Sequence, residues 1–127
     1  MTACVCGSGK LFKKCCLPFL DESKSAPTPE KLMRSRFSAY ALGGYGEYLL
    51  LTWLPIMTQG LDATELSQRD TQWQSLRILN VRQKGDDGYV GFSADYLDGD
   101  NKIMNYQESS VFKRINGQWL YAGVEVS

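Results

Sequence analysis

Histidine is absent from this chain of 127 residues. The chain therefore lacks the side chain that most often serves as a general base near neutral pH, and any catalysis would need Glu, Asp or Tyr in that role. It also lacks net charge, because 14 Lys and Arg residues balance 14 Asp and Glu residues. A neutral chain does not present the basic surface of a general nucleic-acid-binding protein.

Long apolar segments are missing as well. No run approaches the roughly 18 apolar residues of a membrane-spanning helix, and cysteines and lysines stand at the N-terminus where a signal peptide would be apolar. We therefore expect a cytoplasmic protein that does not bind the membrane, in a compartment that keeps thiols reduced. A hydrophobic content of 43% and an aromatic content of 12% suffice for one folded domain.

The four cysteines are the most informative residues of the chain. They form the pattern C-x-C-x8-C-C and are Cys4, Cys6, Cys15 and Cys16. Two close pairs of thiols separated by a short loop supply the four soft ligands of one structural Zn²⁺, and such a closed site leaves no open coordination position for catalysis. We therefore interpret the cluster as a structural zinc site.

Other interpretations of the cysteines are weaker. A disulfide is disfavoured in a reducing compartment, and oxidation of the neighbours Cys15 and Cys16 would close a strained ring. Redox-active pairs usually have the spacing C-x-x-C, and iron–sulfur clusters use differently spaced cysteine runs. Redox-active thiols stay open as an alternative to zinc.

Lysines accompany the cysteines. Lys10, Lys13 and Lys14 give residues 1–20 a net charge of +3, with no acidic residue in that segment. Their positive charge would offset the negative charge that four thiolates leave around a divalent ion. We interpret the three lysines as a basic surface that binds another protein. Nucleic acid is a weaker candidate partner, because three lysines give little electrostatic binding energy.

Helices are predicted in the first half of the chain, after a polar linker at residues 21–28. One helix begins at Pro29 with Thr28 as its N-cap, and Gly43 ends it. A second, shorter helix is predicted over residues 45–54. Residues 56–72 form a loop with one helical turn at 63–68.

Strands are predicted in the second half, where apolar residues recur with a period of two. They cover residues 74–84, 88–97, 102–115 and 118–126. Asn116-Gly117 is a strong signal for a tight hairpin between the last two strands. Helices followed by strands indicate an α+β domain, with helices packed on one face of an antiparallel sheet.

The cysteine segment resembles a known zinc-binding motif. Residues 4–16 read Cys-Val-Cys-Gly-Ser-Gly-Lys-Leu-Phe-Lys-Lys-Cys-Cys, which is similar to the SEC-C motif on the tail of the preprotein translocase ATPase SecA. The resemblance implies that Cys4, Cys6, Cys15 and Cys16 bind zinc within a zinc knuckle over residues 1–20. In SecA the motif is a docking surface for partners, including a chaperone, which implies an interaction role here.

The rest of the chain resembles the bacterial YchJ-like family. The resemblance is carried by the segment from Thr28 to Leu42, by Thr52-Trp53-Leu54-Pro55, and by residues 108–112 and 117–121. It implies a nuclear-transport-factor-2-like domain over residues 29–127, in which a curved antiparallel sheet and helices form a cone. Family members often carry histidine where Leu54 stands, so any chemistry of that histidine is missing here.

A cone of this kind usually has a pocket between its helices and the concave face of its sheet. The candidate lining residues are polar side chains and aromatic walls, namely Arg34, Arg36, Ser38, Tyr40, Trp53, Tyr96, Glu108 and Trp119. Arg34 and Arg36 are about 200° apart around a helix, so both cannot point inward. One of them would pair with Glu108, either to bind a ligand or, the interpretation we prefer, as a structural salt bridge. The aromatic residues are expected to fill the core rather than form a binding platform.

Two functions follow from these features. The first is a zinc-binding, non-catalytic adaptor whose basic knuckle docks on a partner, and we prefer it because no catalytic constellation is present. The alternative is a small-molecule-binding protein or an enzyme that uses the cone, since the same scaffold hosts many activities. An open, polar cone would favour the alternative, and a cone filled with aromatic side chains would favour the adaptor.

Overall fold

The computed structural model describes residues 2–125. Helices occupy the first half of the chain and strands the second, in the predicted order. The α-helices are α1 (Leu17–Leu20), α2 (Pro29–Leu42), α3 (Gly46–Leu51) and α4 (Ala63–Leu66). The strands are β1 (Gln72–Lys84), β2 (Asp87–Leu97), β3 (Ile103–Ile115) and β4 (Gln118–Val124). Short 3₁₀ turns lie at Phe12–Lys14 and Pro55–Met57.

The strands form one antiparallel sheet in the order β1-β2-β3-β4, which confirms the predicted α+β class. Position 126, the last residue of the fourth predicted strand, and the predicted domain end at 127 lie outside the described residues, as does Met1. The hairpin between β3 and β4 has the predicted tight turn, since Asn116 and Gly117 both have positive φ, at +53° and +80°.

Irregularities in the strand pairing give the sheet its curvature. The register shifts twice between β1 and β2, at Trp73/Ser75 and at Ile78/Asn80. It shifts again between β3 and β4, at Ser110/Phe112. A β-bulge bends its strand and increases the local twist, so three irregularities in a four-stranded sheet produce a concave face. Helix α2 packs against this sheet.

Helix α2 has the predicted ends. The Thr28 hydroxyl accepts a hydrogen bond from the Lys31 N–H at 3.2 Å, and Gly43 ends the helix with a φ of +74°. Its inward face is buried at Leu32 and Phe37. Among the described residues, no helix is long and apolar enough to span a membrane.

Helix α3 is shorter than predicted. It was expected to continue to Leu54 but ends at Leu51, because the next residues pair with strand β4 instead. The Leu54 N–H donates to the Tyr121 carbonyl at 2.8 Å, and the Tyr121 N–H donates to the Thr52 carbonyl at 2.7 Å. This pairing satisfies backbone groups outside the helix and fixes Trp53 beside Tyr121.

The knuckle, residues 2–20 of the structure, is a small hairpin followed by two helical turns. The Cys4 N–H donates to the Lys10 carbonyl at 2.8 Å, and Ala3 and Leu11 form an isolated antiparallel bridge. Gly7 and Gly9 have φ values of +79° and +85°, a left-handed backbone that glycine adopts without steric cost. The chain therefore reverses between the two pairs of cysteines. Residues 21–28 then connect α1 to α2 through turns and bends.

Candidate metal centre and ligand cavity

The knuckle brings the four cysteine sulfur atoms together. All four Sγ atoms lie within 4.8 Å of one another. Cys6 Sγ and Cys15 Sγ are 3.6 Å apart, and Cys15 Sγ and Cys16 Sγ are 4.0 Å apart. The four cysteines are free thiols, and Cys4, Cys6 and Cys16 are buried. The cluster is close enough for all four sulfur atoms to bind one metal ion.

Hydrogen bonds within the cluster favour thiolate formation at Cys6. The pKa of Cys6 is lowered, chiefly by a hydrogen bond from the Cys16 thiol and then by one from Cys4. The pKa of Cys16 is raised by its hydrogen bonds with Cys4 and Cys6 and then by burial. The Ser8 hydroxyl lies 3.1 Å from Cys15 Sγ. Negative charge is therefore stabilised on the Cys6 sulfur, and the thiolate is the form of cysteine that binds a metal ion.

The knuckle is fixed to the main domain by helix α2 and strand β1. Arg34 Nη1 donates to the Cys6 carbonyl at 2.7 Å, and the Ser38 hydroxyl lies 3.7 Å from Cys4 Sγ. A Cβ atom on Gly7 would lie 2.8 Å from the Leu76 carbonyl oxygen of β1, so glycine is required for this close approach. The placement of Arg34 and Ser38 in the pocket is therefore wrong, because their face of the helix contacts the knuckle.

The three knuckle lysines are exposed. Lys10 and Lys14 border a cleft of about 210 Å³ beside the cysteines, together with Lys31 and Arg34 of helix α2. Lys13 is exposed as well. Glu30 is the acidic residue on this cleft, and it pairs with Arg34 at 3.0 Å. The cleft is basic and lies next to the cluster.

A larger cavity of about 450 Å³ lies between helix α2 and the concave face of the sheet. The β2–β3 register positions one wall, because it places Phe92 opposite Glu108 and Ala94 opposite Tyr106. Residues directly opposite each other in an antiparallel sheet share a face. Tyr106 is 42% exposed, so the cavity reaches solvent at this residue.

Glu108 is held by three hydroxyl groups on the sheet wall. The Tyr106 hydroxyl donates to Oε1, while the Ser110 and Tyr121 hydroxyls donate to Oε2, at 2.5, 2.5 and 2.9 Å. The hydrogen bond to Glu108 raises the pKa of Tyr106 to about 12. Burial, followed by the charge of Glu108, raises the pKa of Tyr121. The phenols therefore stay protonated and donate to the carboxylate.

Arg36 lies on the opposite wall and is only 3% exposed. Its Nη1 donates to the Leu49 carbonyl and to the Thr52 hydroxyl, both at 2.7 Å. Its guanidinium carbon lies 4.8 Å from the ring centres of both Trp53 and Tyr121. Burial lowers the pKa of Arg36, but a guanidinium remains charged at neutral pH.

Arg36 and Glu108 form no ion pair among the described residues. The expected salt bridge between an α2 arginine and Glu108 is therefore wrong. The physical reason is that each group has other partners: three hydroxyls surround Glu108, and a carbonyl, a hydroxyl and two aromatic rings surround Arg36.

Five predicted pocket residues line this cavity, namely Arg36, Tyr40, Trp53, Tyr96 and Glu108. Trp119 does not, so its placement in the pocket is wrong. It is 4% exposed, lies beneath Arg114 at 4.9 Å from guanidinium carbon to ring centre, and contacts the region of Gly88. The side chain of Trp119 belongs to the core instead.

Tyr106 and Tyr121, the two phenols that donate to Glu108, are among the lining residues that the sequence interpretation missed. Tyr106 could have been found, because it stands two positions before Glu108 and alternation places both on one strand face. Tyr121 has no comparable signal, since its position depends on pairing with residues 52–54. The Nε1 atom of Trp53 is the one buried side-chain nitrogen or oxygen without a hydrogen-bond partner within residues 2–125.

Family comparisons match both parts of the chain. The family described as YchJ, middle NTF2-like domain, matches residues 28–123. The SEC-C motif matches residues 2–18. The first match covers the domain that contains the cavity, and the second covers the cysteine cluster.

Individual relatives are similar to nearly the whole chain. A UPF0225 protein of Sodalis glossinidius is 37% identical over 123 residues, covering 93% of this chain and 79% of the relative. A UPF0225 protein of Deinococcus radiodurans is 40% identical over 119 residues, covering 93% of this chain and 85% of the relative. The solution structure of a SEC-C motif containing protein from Rhodopseudomonas palustris matches with a TM-score of 0.88 and 35% identity, over 98% of each chain.

Proposed function

Since this chain belongs to the YchJ family and carries a SEC-C motif before its NTF2-like domain, we propose that it binds a small molecule and is stabilised by one structural Zn²⁺. The observation that carries the ligand-binding role is the cavity of about 450 Å³ with a buried arginine on its wall. Ligand pockets of roughly 300–1,000 Å³ are typically apolar with a few convergent polar groups. The open cavity favours a small-molecule-binding role over the role of an adaptor.

The sulfur positions support zinc as the metal. A Zn–S bond of about 2.3 Å in a tetrahedron requires sulfur atoms about 3.8 Å apart. The distances of 3.6 Å for Cys6–Cys15 and 4.0 Å for Cys15–Cys16 lie on either side of that value. Four cysteine ligands close the coordination shell, so the ion would hold the knuckle in shape and supply no catalytic water.

Binding rather than catalysis is the role that the polar groups support. Both oxygen atoms of Glu108 already accept hydrogen bonds from hydroxyl groups of the protein, so its lone pairs are directed at the cavity wall and not at a substrate. The chain contains no histidine to replace it as a general base. We therefore assign the cavity to a ligand that is bound and not chemically changed.

Naphthalene, a flat uncharged probe, tests whether the cavity admits a ligand. We expect the indole N–H signals of Trp53 and Trp73 to shift in NMR spectra of the zinc-loaded protein, because both rings line the cavity. Trp119 lies elsewhere and serves as the internal control. Ala94→Ile fills the cavity and should abolish the shifts, while Lys31→Gln on the exposed face of α2 should not. Equal shifts at all three tryptophans, or none, would contradict the cavity assignment.

A second candidate function is protein docking on the knuckle. The observation that favours it is the basic cleft, where Lys10, Lys14 and Lys31 surround a depression beside the cysteines. An acidic protein segment is the partner whose charge this cleft fits. Nucleic acid is a weaker candidate, since such binding requires many phosphate contacts.

A synthetic polyglutamate peptide tests this docking surface. We expect binding that weakens as salt is raised and that falls when Lys10 and Lys14 are both replaced by Gln, because surface attraction is screened by ions. Lys102→Gln and Lys84→Gln together are the matched control, since they remove the same charge from strand β1 and from the connection between β2 and β3. Equal losses from both double variants would count against a specific site on the knuckle.

A further inference from the structure

Arg36 has unused hydrogen-bonding capacity on the cavity wall. Its hydrogen bonds to the Leu49 carbonyl and the Thr52 hydroxyl both involve Nη1, although a guanidinium carries five N–H donors. Within residues 2–125 its one further side-chain partner is the Tyr40 hydroxyl, which leaves donors on Nε and Nη2. Arg36 lines the cavity, so these nitrogen atoms are available to an acceptor on a ligand.

Tyr40 adds a second polar group on the same helix. It lies one turn after Arg36 and also lines the cavity. Its hydroxyl lies within hydrogen-bonding reach of the Arg36 guanidinium and accepts from it, so its own proton is left to donate. Burial raises the pKa of Tyr40, against a smaller lowering by the charge of Arg36. The two residues present donors to the same region.

The charges already present in the cavity restrict the charge of the ligand. Arg36 is a cation and Glu108 is an anion, and both line the same space. Their opposite charges cancel, so the net charge of the two groups is zero. An anionic ligand would leave the cavity with net negative charge, and uncompensated buried charge is costly. An uncharged ligand keeps the balance.

Most of the remaining lining side chains are aromatic. Trp73 forms edge contacts with Phe37 and Tyr96, with ring centres 6.0 and 5.3 Å apart, and Phe92 lies on the same sheet face. Aromatic walls of this kind favour a planar apolar body. On the basis of the proposed ligand cavity, we infer that the ligand is an uncharged planar compound whose carbonyl oxygen accepts hydrogen bonds from Arg36 and Tyr40.

Three naphthalenes of similar shape test this assignment: methyl naphthyl ketone, naphthoate and isopropylnaphthalene, substituted at the same ring position. Affinity is measured by NMR titration of the zinc-loaded protein at the Trp53 and Trp73 indole signals. The ketone should bind about tenfold or more tightly than the hydrocarbon, because a hydrogen bond from a charged donor contributes that much. It should also bind more tightly than naphthoate, which brings a second anion near Glu108.

Two variants identify the donors. Arg36→Lys and Tyr40→Phe should each lower the affinity for the ketone by roughly threefold to tenfold, since a single hydrogen bond is lost. Neither variant should change the affinity for the hydrocarbon. Lys31→Gln, on the exposed face of the same helix, should change neither the affinity for the ketone nor the affinity for the hydrocarbon. If Arg36→Lys fails to fold, Tyr40→Phe still tests the hydrogen bond to the ketone. This variant removes one hydroxyl that binds no backbone group, so it should fold.

The outcomes separate the ligand class from the ligand cavity. If naphthoate binds as tightly as the ketone, the inference that the ligand is uncharged is wrong. If the hydrocarbon binds as tightly as the ketone, the inferred hydrogen bonds to the carbonyl oxygen are wrong. In both cases the cavity would still bind a ligand. Failure of all three compounds to shift Trp53 and Trp73 would overturn the inference together with the proposed function.

Discussion

Replacing Cys4 and Cys6 by serine should abolish zinc binding and destabilise the whole chain. The two residues supply half of the ligands, and a hydroxyl is a poor replacement for a thiolate on zinc. An ion present at roughly a thousand times its Kd contributes about 4 kcal/mol to the free energy of unfolding. The loss should extend beyond the knuckle, because Arg34 binds the Cys6 carbonyl and Gly7 packs on the Leu76 carbonyl.

The measurement is urea unfolding with metal analysis of the same samples. The native protein should contain one zinc ion per chain and lose stability when a chelator is added, whereas the double variant should contain none and not respond to the chelator. Val5→Ser is the matched control, since Val5 stands between the two cysteines and is 36% exposed. A double variant as stable as Val5→Ser would show that no metal stabilises the fold.

Replacing Phe112 by alanine should cost about 3–5 kcal/mol of the free energy of unfolding, as is usual when a fully buried phenylalanine is truncated. Phe112 is 0% exposed, and its ring centre lies 5.8 Å from that of Tyr121. Tyr121 in turn donates to Glu108. The substitution therefore removes support from the cavity wall as well as core volume.

Chemical denaturation of the zinc-loaded protein measures this loss. Ile103→Ala on the same strand is the control, because Ile103 is 71% exposed and a surface truncation usually changes stability by less than about 0.5 kcal/mol. A loss below about 1 kcal/mol at Phe112 would mean that the sheet and helix α2 are less tightly packed than the structure shows.

Local signals in the sequence were sufficient for much of the fold. The cap at Thr28, the stop at Gly43 and the Asn116-Gly117 turn each act through neighbouring residues, so their positions could be predicted. The end of α3 could not, because it depends on pairing between residues 52–54 and Tyr121, which are distant in the chain. Backbone pairing between distant residues cannot be recognised from the neighbouring sequence, so the helical pattern was extended too far.

The candidate site shows the same limit. Helix geometry separated Arg34 from Arg36, but it did not say which one faces the sheet; the knuckle contacts Arg34 and leaves Arg36 to the cavity. Trp119 and Tyr121 lie on one face of β4 by alternation, yet Tyr121 alone lines the cavity. Alternation predicts the face of the sheet on which a side chain lies. Whether that side chain packs in the core or lines the cavity depends on its position along the strand.

The cavity between helix α2 and the sheet is proposed to hold a planar ligand. Intermolecular nuclear Overhauser effects between methyl naphthyl ketone and the protein test its location most directly. We expect contacts from the ligand to the ring protons of Trp53, Trp73 and Tyr40, which line the cavity. Contacts to Trp119 or to the knuckle, or saturable binding with no contact to the cavity rings, would contradict it.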